Sequence, residues 1–456
     1  VTGDDADHFI HPSYIMQPTR RHWIRSALAL IFAAAPIARL LAQPAAPTPD
    51  SEYVLTAAAD RKDATYRPGE TATFNIRLHR RGEPIDQAEV AWTLTKDGVP
   101  PTKSGRVALR GGVATITGTL SEPGFLQCRV TLDRAGVTRL AVAGAAFAPL
   151  AIKPSQPAPA DFDAFWAAQK ARLAAVPMNA RLTPVKSPST TVEVFDLQAD
   201  SVGAPVSAYF ARPVGAKPKS LPAIMTAHGA GVNGSSLSGP ADWASQGALA
   251  LDLNAHGLPN GKPKEFYAEL SAGRLNGYSR SGRESRDTIY FLGMYLRLIR
   301  AIDFLTAQPE WDGRTVVVSG SSQGGAQAIA AAGLDPRVSF FAAGVPAMCD
   351  HTGILAGRVN GWPKFIPTDT TGQPPAEVVM AVRYYDAVNF AARARASACF
   401  TVGFIDTTCP PTTVYAAYNA IRNPKEIFDD IGARHTNTPE ARAFMRAAIL
   451  RHFATR

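Results

Sequence analysis

Cysteine is scarce in this chain: Cys128, Cys349, Cys399 and Cys409 are the only four in 456 residues, and no two have C-x-x-C spacing. That excludes a disulfide-framed scaffold and gives no sign of a structural zinc site. In an exported protein one bridge stays open, and Cys349 with Cys399 is the pair to test. Charged residues are also few, 19% against 46% hydrophobic, which excludes an intrinsically disordered chain. The formal net charge is +9, but Lys and Arg are scattered, with no basic run and no basic helical stripe, so nucleic acid is not an expected partner. No apolar run is long enough for a membrane anchor, and neither an internal repeat nor a low-complexity segment stands out.

What is present begins with an export pattern. Residues 16–42 have a basic start (Arg20, Arg21, Arg25), an apolar segment from Ala27 to Ala38, and Leu40-Leu41-Ala42 before Gln43, as a signal peptide requires. Arg20-Arg21 and the late Arg39 resemble the twin-arginine route, with Sec export as the alternative. The expected location is the periplasm or the exterior. Residues 1–15 precede a plausible initiator Met16 and read as an upstream extension, and 43–50, rich in Pro and Ala, as a linker.

From Glu52 to about Phe147 short alternating strands are separated by turn signals such as Arg67-Pro68-Gly69 and Arg110-Gly111-Gly112, the spacing of an immunoglobulin-like β-sandwich over residues 51–148. It holds one cysteine, so no disulfide can cross it. Trp92, its one tryptophan, reads as a core residue in an alternating strand rather than a sugar platform. Past residue 148 the character changes. Phe162, Phe165, Trp166 and Leu173 share one face of an amphipathic helix, and strands then alternate with helices. That order predicts a doubly wound, mostly parallel sheet over residues 149–456, the α/β-hydrolase class.

Gly320-Ser321-Ser322-Gln323-Gly324 lies between the β-branched run Thr315–Ser319 and an Ala-rich helix, the context of a nucleophile elbow. The plainer alternative is a glycine turn whose serine caps the helix. If Ser322 is a nucleophile it needs a base and an orienting acid, in the chain order Ser, Asp, His, each after a strand. Asp406 follows the strand Thr401–Ile405, and His435 lies on the loop after the strand ending at Phe428. Asp350 competes as the acid, while Asp429 and Asp430 are expected to face solvent. Asp406 could instead be a turn residue before Pro410-Pro411. The expected oxyanion donors are the backbone N–H groups of Gln323 and Ala230, with Gly231 as the fallback; His228 and His256 read as structural. No metal and no cofactor is required.

These residues resemble the acetyl xylan esterases and cephalosporin C deacetylases of carbohydrate esterase family 7. The carriers are Asp161-Phe-Asp-Ala-Phe-Trp166, the His-Gly turn at 228, Gly320-Ser-Ser-Gln-Gly-Gly325, Leu334-Asp-Pro-Arg-Val338, Val345-Pro-Ala-Met-Cys-Asp350, and Asp406-Thr-Thr-Cys-Pro-Pro411. The resemblance implies an α/β-hydrolase with Ser322, Asp406 and His435 as its triad, acting on acetylated oligo- or polysaccharides. The chain departs from the family where Ala230-Gly231 replaces an aromatic residue, His256-Gly257-Leu258 replaces an Arg-Gly-Gln signature, and Thr436 replaces Glu after the histidine. An amidase or peptidase on the same scaffold and a non-catalytic sugar-binding protein are the alternatives, and association into a homo-oligomer is left open.

Overall fold

Strand alternation gives way to strand–helix alternation near residue 148. The computed structural model describes residues 52–97, 103–134, 136–366 and 373–455. The expected signal peptide at 16–42, the stretch 1–15 and the linker 43–50 lie outside the described residues.

The first part is two packed antiparallel sheets. One joins β1 (Tyr53–Ala59), β3 (Ala72–Arg80), β4 (Glu83–Pro84) and β7 (Val113–Gly118). The other runs β2 (Thr65–Tyr66), β9 (Val137–Phe147), β8 (Gly124–Arg134), β5 (Glu89–Lys96), β6 (Lys103–Ala108), with only the short β2 parallel to its neighbour. A period of two decides which residues face inward. Phe74, Ile76 and Leu78 of β3 meet Leu126, Cys128 and Val130 of β8 in one core, while Asn75 and Arg77 face outward. Trp92 packs against that core, its ring 2.8 Å from where a Cβ on Gly105 would lie. Two-residue β2 and β4, and edge strand β6 with its polar Lys103-Ser104-Gly105-Arg106, carry no apolar alternation and were not expected.

The second part is built on one nine-stranded sheet: β10 (Arg181–Val185), β11 (Val192–Ala199), β12 (Val206–Pro213), β14 (Leu249–Leu253), β13 (Leu221–Ala227), β15 (Trp311–Ser321), β16 (Val338–Gly344), β17 (Ser397–Gly403) and β18 (Lys425–Asp430) in spatial order. The six from β14 to β18 are parallel; the first three are antiparallel. β10 was not expected, because it contains Pro184 and exposes four of its five residues. Helices α1 (Phe162–Ala174), α4 (Phe291–Thr306), α5 (Gln323–Leu334), α7 (Ala387–Ala391) and α8 (Pro411–Ala420) contribute to the core on one face. Helices α2 (Ser238–Ser245) and α9 (Pro439–Ala454) contribute to the other, and the shorter α3 (Lys264–Ala272) and α6 (Ala376–Val382) lie in the connections. On β15, Val316 and Val318 belong to the first core and Val317 to the second, so the run was apolar because both faces are covered. From β13 the chain goes to β14 on one side, and from β15 to β16 on the other. The crevice beside β15 is the switch point where such sheets place ligands.

The cysteines correct one expectation. All four are free and buried. Cys349 belongs to the core on one face of the sheet and Cys399 to the core on the other, so the sheet separates the pair and they form no bridge. Among the described residues no helix is long and apolar enough to cross a membrane.

The sandwich is seated on the carboxyl end of β17. Phe125 packs edge-on against Phe404 at 5.0 Å and lies 5.6 Å from Tyr415 of α8, and Gln127 Nε2 donates to the Phe404 carbonyl at 3.3 Å. A Cβ on Gly144 would lie 2.8 Å from that same carbonyl, so only glycine permits this approach. Beside this contact Asp97 is 1% exposed, and its carboxyl oxygens have no hydrogen-bond partner among the described residues. Burial pushes its pKa up from 3.8 to about 7, against smaller opposing pulls from Thr412, Lys96 and Arg358. The stability this carboxyl contributes is therefore fully present below 3.8 and is lost as pH rises through about 7. Asp97→Asn should raise Tm by several degrees in mildly alkaline buffer and change it little in acid, as melting curves across that range would show. A constant offset at every pH would contradict the assignment.

Candidate active site

Close packing of backbone makes the turn after β15. Ser322 has φ 58° and ψ −121°, a strained region for a non-glycine residue, costing about 1–3 kcal/mol. Two glycines make room for it. A Cβ on Gly320 would sit 2.5 Å from the Gly324 carbonyl group, and one on Gly324 would sit 2.1 Å from the Ala227 carbonyl oxygen. The Ser322 N–H donates to the Gly344 carbonyl at 2.8 Å, and its own carbonyl accepts from Ala326 and Ala347, both at 3.0 Å. The strain is thus held by both neighbouring strands and by α5.

Ser322 Oγ lies 2.8 Å from His435 Nε2, and His435 Nδ1 lies 2.7 Å from Asp406 Oδ2. The pattern is that of a neutral imidazole with the proton on Nδ1, donating to the carboxylate while Nε2 accepts from the hydroxyl. Asp406 is fully buried, and its other oxygen accepts the backbone N–H of Thr408 at 2.8 Å and of Cys409 at 2.9 Å. The His435 side chain is 26% exposed, so one side remains open to a ligand. The structure thus brings the three residues together from the ends of β15, β17 and β18.

The other acids are occupied elsewhere. Asp350 is 1% exposed, and its carboxylate accepts from Ser155 N at 2.8 Å, Ser155 Oγ at 2.5 Å and Arg358 at 3.1 Å. Tyr415 donates to Asp429 and Thr438 to Asp430, each at 2.6 Å, so both carboxylates are engaged; Asp429 is exposed as expected and Asp430 is half-buried.

Next to the nucleophile, the Gln323 N–H opens α5, where first-turn donors lack intrahelical acceptors. Across from it is the loop after β13. There the Gly231 N–H donates to Tyr278 Oη at 3.2 Å, and Tyr278 in turn donates to Gln323 Oε1 at 2.7 Å. The fallback donor is therefore already engaged, whereas Ala230 beside it is exposed. His256 Nε2 donates to the Gly231 carbonyl at 3.0 Å and its Nδ1 accepts from Tyr290 at 2.8 Å, the pattern of a neutral ring. Burial pushes its pKa down to about 4, which keeps it neutral. His228 is spent on Gly229 O at 2.7 Å and the Ala255 N–H at 3.1 Å. Both histidines brace the loop.

Tyr278 and Asn437 were missed in the sequence. Asn437 Nδ2 donates to Ser321 Oγ at 2.6 Å and its Oδ1 accepts from Thr401 at 2.5 Å, tying the histidine loop to the residue before the nucleophile. Its position two residues after His435 was the one available signal; Tyr278, 44 residues before Ser322, offered none. Cys409, one of the four cysteines, also lies beside this site. Its sulfur lies within 4.8 Å of ligand atoms of Asp406 and His435, a grouping that could in form hold a metal. Burial holds the thiol well above its ordinary range, however, and the carboxylate and both ring nitrogens are engaged with one another and with Ser322.

Known proteins share this arrangement of sequence and fold. The acetyl xylan esterase family model matches residues 150–454. The chain is 35% identical over 391 residues to the acetyl esterase Axe7A of Xylanibacter ruminicola, covering 82% of this chain and 85% of that one. That coverage is more than residues 150–456 can supply, so the likeness reaches back ahead of residue 150. A solved acetyl xylan esterase from Paenibacillus sp. R4 superimposes with TM-score 0.59 at 29% identity, covering 67% of this chain and 98% of that one. Acetyl xylan esterase 1 of Thermoanaerobacterium sp. JW/SL YS485, at 24% identity and TM-score 0.56, covers 65% and 96% and shares the fold.

Proposed function

The chain belongs to the acetyl xylan esterase family, a family of carboxylic ester hydrolases, and from that premise we propose that it is an exported serine esterase removing acetyl groups from acylated carbohydrates through an acyl-enzyme. The observation that carries the mechanism is the unbroken run of contacts from Ser322 Oγ to His435 at 2.8 Å and from His435 to buried Asp406 at 2.7 Å, on a strained turn at the start of a helix. In this reading His435 Nε2 takes the hydroxyl proton as Oγ attacks the acetyl carbonyl. Asp406 holds the ring in the required tautomer and stabilises the imidazolium that forms.

The developing oxyanion is received by the Gln323 and Ala230 amides, which cost no reorganisation because the turn and the Tyr278 bridge already hold them. His435 then returns its proton to the departing sugar hydroxyl, leaving acetyl on Oγ. Water attacks that ester with His435 again as base, and acetate leaves. Export rests on the pattern of residues 16–42.

Two assays test the reading. Purified protein should release acetate from acetylated xylo-oligosaccharides, and on chromogenic esters kcat/KM should fall on the order of 10-fold or more from acetate to octanoate. Equal rates on acetate and octanoate would remove the deacetylase assignment.

A further inference from the structure

The outer face of the five-stranded sheet leaves the hydrolase surface just beyond their contact. Side chains alternate along β8, so Gln127 and Arg129 point to the same face, and β9 sets Gly144 and Val142 opposite them. The first of these pairs is pressed on Phe404, as described above. Two residues further along, a cleft of about 250 Å³ opens between this face and the loops that carry Asp406 and His435. Its floor includes Val142 and Ile405; its polar groups include Gln127, Arg129, Thr407 and Arg434.

Two properties set this cleft apart. Arg129 and Arg434 are both exposed, neither has an ion pair among the described residues, and no carboxylate lines the cleft. Many other arginines of the chain are paired, for example Arg212 with Glu193 and Glu310, or Arg337 with Asp303 and Asp335. The second property is position. Thr407 directly follows the triad acid and Arg434 directly precedes the triad histidine, so the cleft is walled by the two loops that carry those residues. Its volume is below the roughly 300–1,000 Å³ of drug-sized sites and of the order of one sugar ring. An apolar floor suits the C–H face of a ring, hydroxyl and amide groups suit its hydroxyls, and two guanidinium groups suit a carboxylate, which Arg binds in a planar, bidentate way.

We propose that this cleft is a subsite for a carboxylate-bearing sugar, a hexuronate unit of the same acetylated glycan whose ester is cleaved at Ser322. The proposal rests on the carbohydrate-esterase reading above. It gives the sandwich a part in substrate selection: remote binding energy from an acidic unit is available to hold the polymer while the acetyl group reacts.

Titration of the full-length protein by calorimetry at neutral pH and low salt, with methyl glucuronide, methyl glucoside and acetate in separate runs, tests it. The glucuronide should bind on the order of 10-fold more tightly than either of the others and lose that advantage in high salt. Arg129→Gln and Arg434→Gln should each weaken it about 10-fold or more; because Arg129 is exposed, melting curves should show its variant folded. Equal affinity for glucuronide and glucoside would remove the carboxylate recognition, acetate binding as tightly as glucuronide would remove the sugar, and full affinity in Arg129→Gln would remove the cleft. The readout is binding, so a protein that binds glucuronide but releases no acetate would overturn the esterase reading alone.

Discussion

Replacing Ser322 by Ala will lower hydrolysis of a chromogenic acetate by on the order of 10^4-fold or more, with the melting curve of the parent protein kept or raised. The loss follows from removing the one oxygen within 2.8 Å of His435 Nε2, without which no acyl-enzyme can form. Retained stability follows because the hydroxyl makes no helix-capping bond, so it is not holding α5 in place. His435→Ala should be nearly as damaging, and the double variant little worse than either single one, since the residues act as one unit. A Ser322→Ala protein with most of its activity would refute the nucleophile assignment, and a burst of alcohol from the parent enzyme before steady turnover would support the covalent intermediate.

A loss of about 10^3–10^4-fold in kcat is expected for Asp406→Asn, with a folded protein and a modest change in KM. Asp406 Oδ2 faces His435 Nδ1, while Oδ1 faces the N–H groups of Thr408 and Cys409. An amide can keep those two backbone donors satisfied only by turning its NH2 toward the imidazole. The ring must then present a lone pair at Nδ1 and carry its proton on Nε2, where it can no longer accept from Ser322. Asp350→Asn should behave in the opposite way. It weakens a buried carboxylate held by Ser155 and Arg358, costing stability on the order of 1–3 kcal/mol while leaving kcat within a few-fold. Denaturation midpoints and steady-state kinetics on both variants separate the two roles; a fully active Asp406→Asn would transfer the acid elsewhere.

Legibility differed along the chain for physical reasons. Strands with strict alternation, such as β3, and the apolar run of β15 stood out, since each is dictated by which faces are buried. Edge elements did not, because an exposed strand has no face to mark: β6 and β10 expose most of their side chains and take their place through neighbours far along the chain. Nor could spacing show that Cys349 and Cys399 lie on opposite faces of one sheet.

The turn at Ser322 was legible in the residues alone, since Gly320 and Gly324 meet a local steric demand, and so was the order Ser322, Asp406, His435, each after a strand. The sequence left Asp350 as a competitor to Asp406 and Gly231 as the fallback to Ala230. Which groups meet is set by the tertiary structure: Asp406 faces His435 at 2.7 Å, whereas Asp350 is spent on Ser155 and Arg358 and Gly231 on Tyr278. Hydrogen-bond donors and acceptors are finite in number, and which ones remain free for chemistry is known only after the folded chain has used the others.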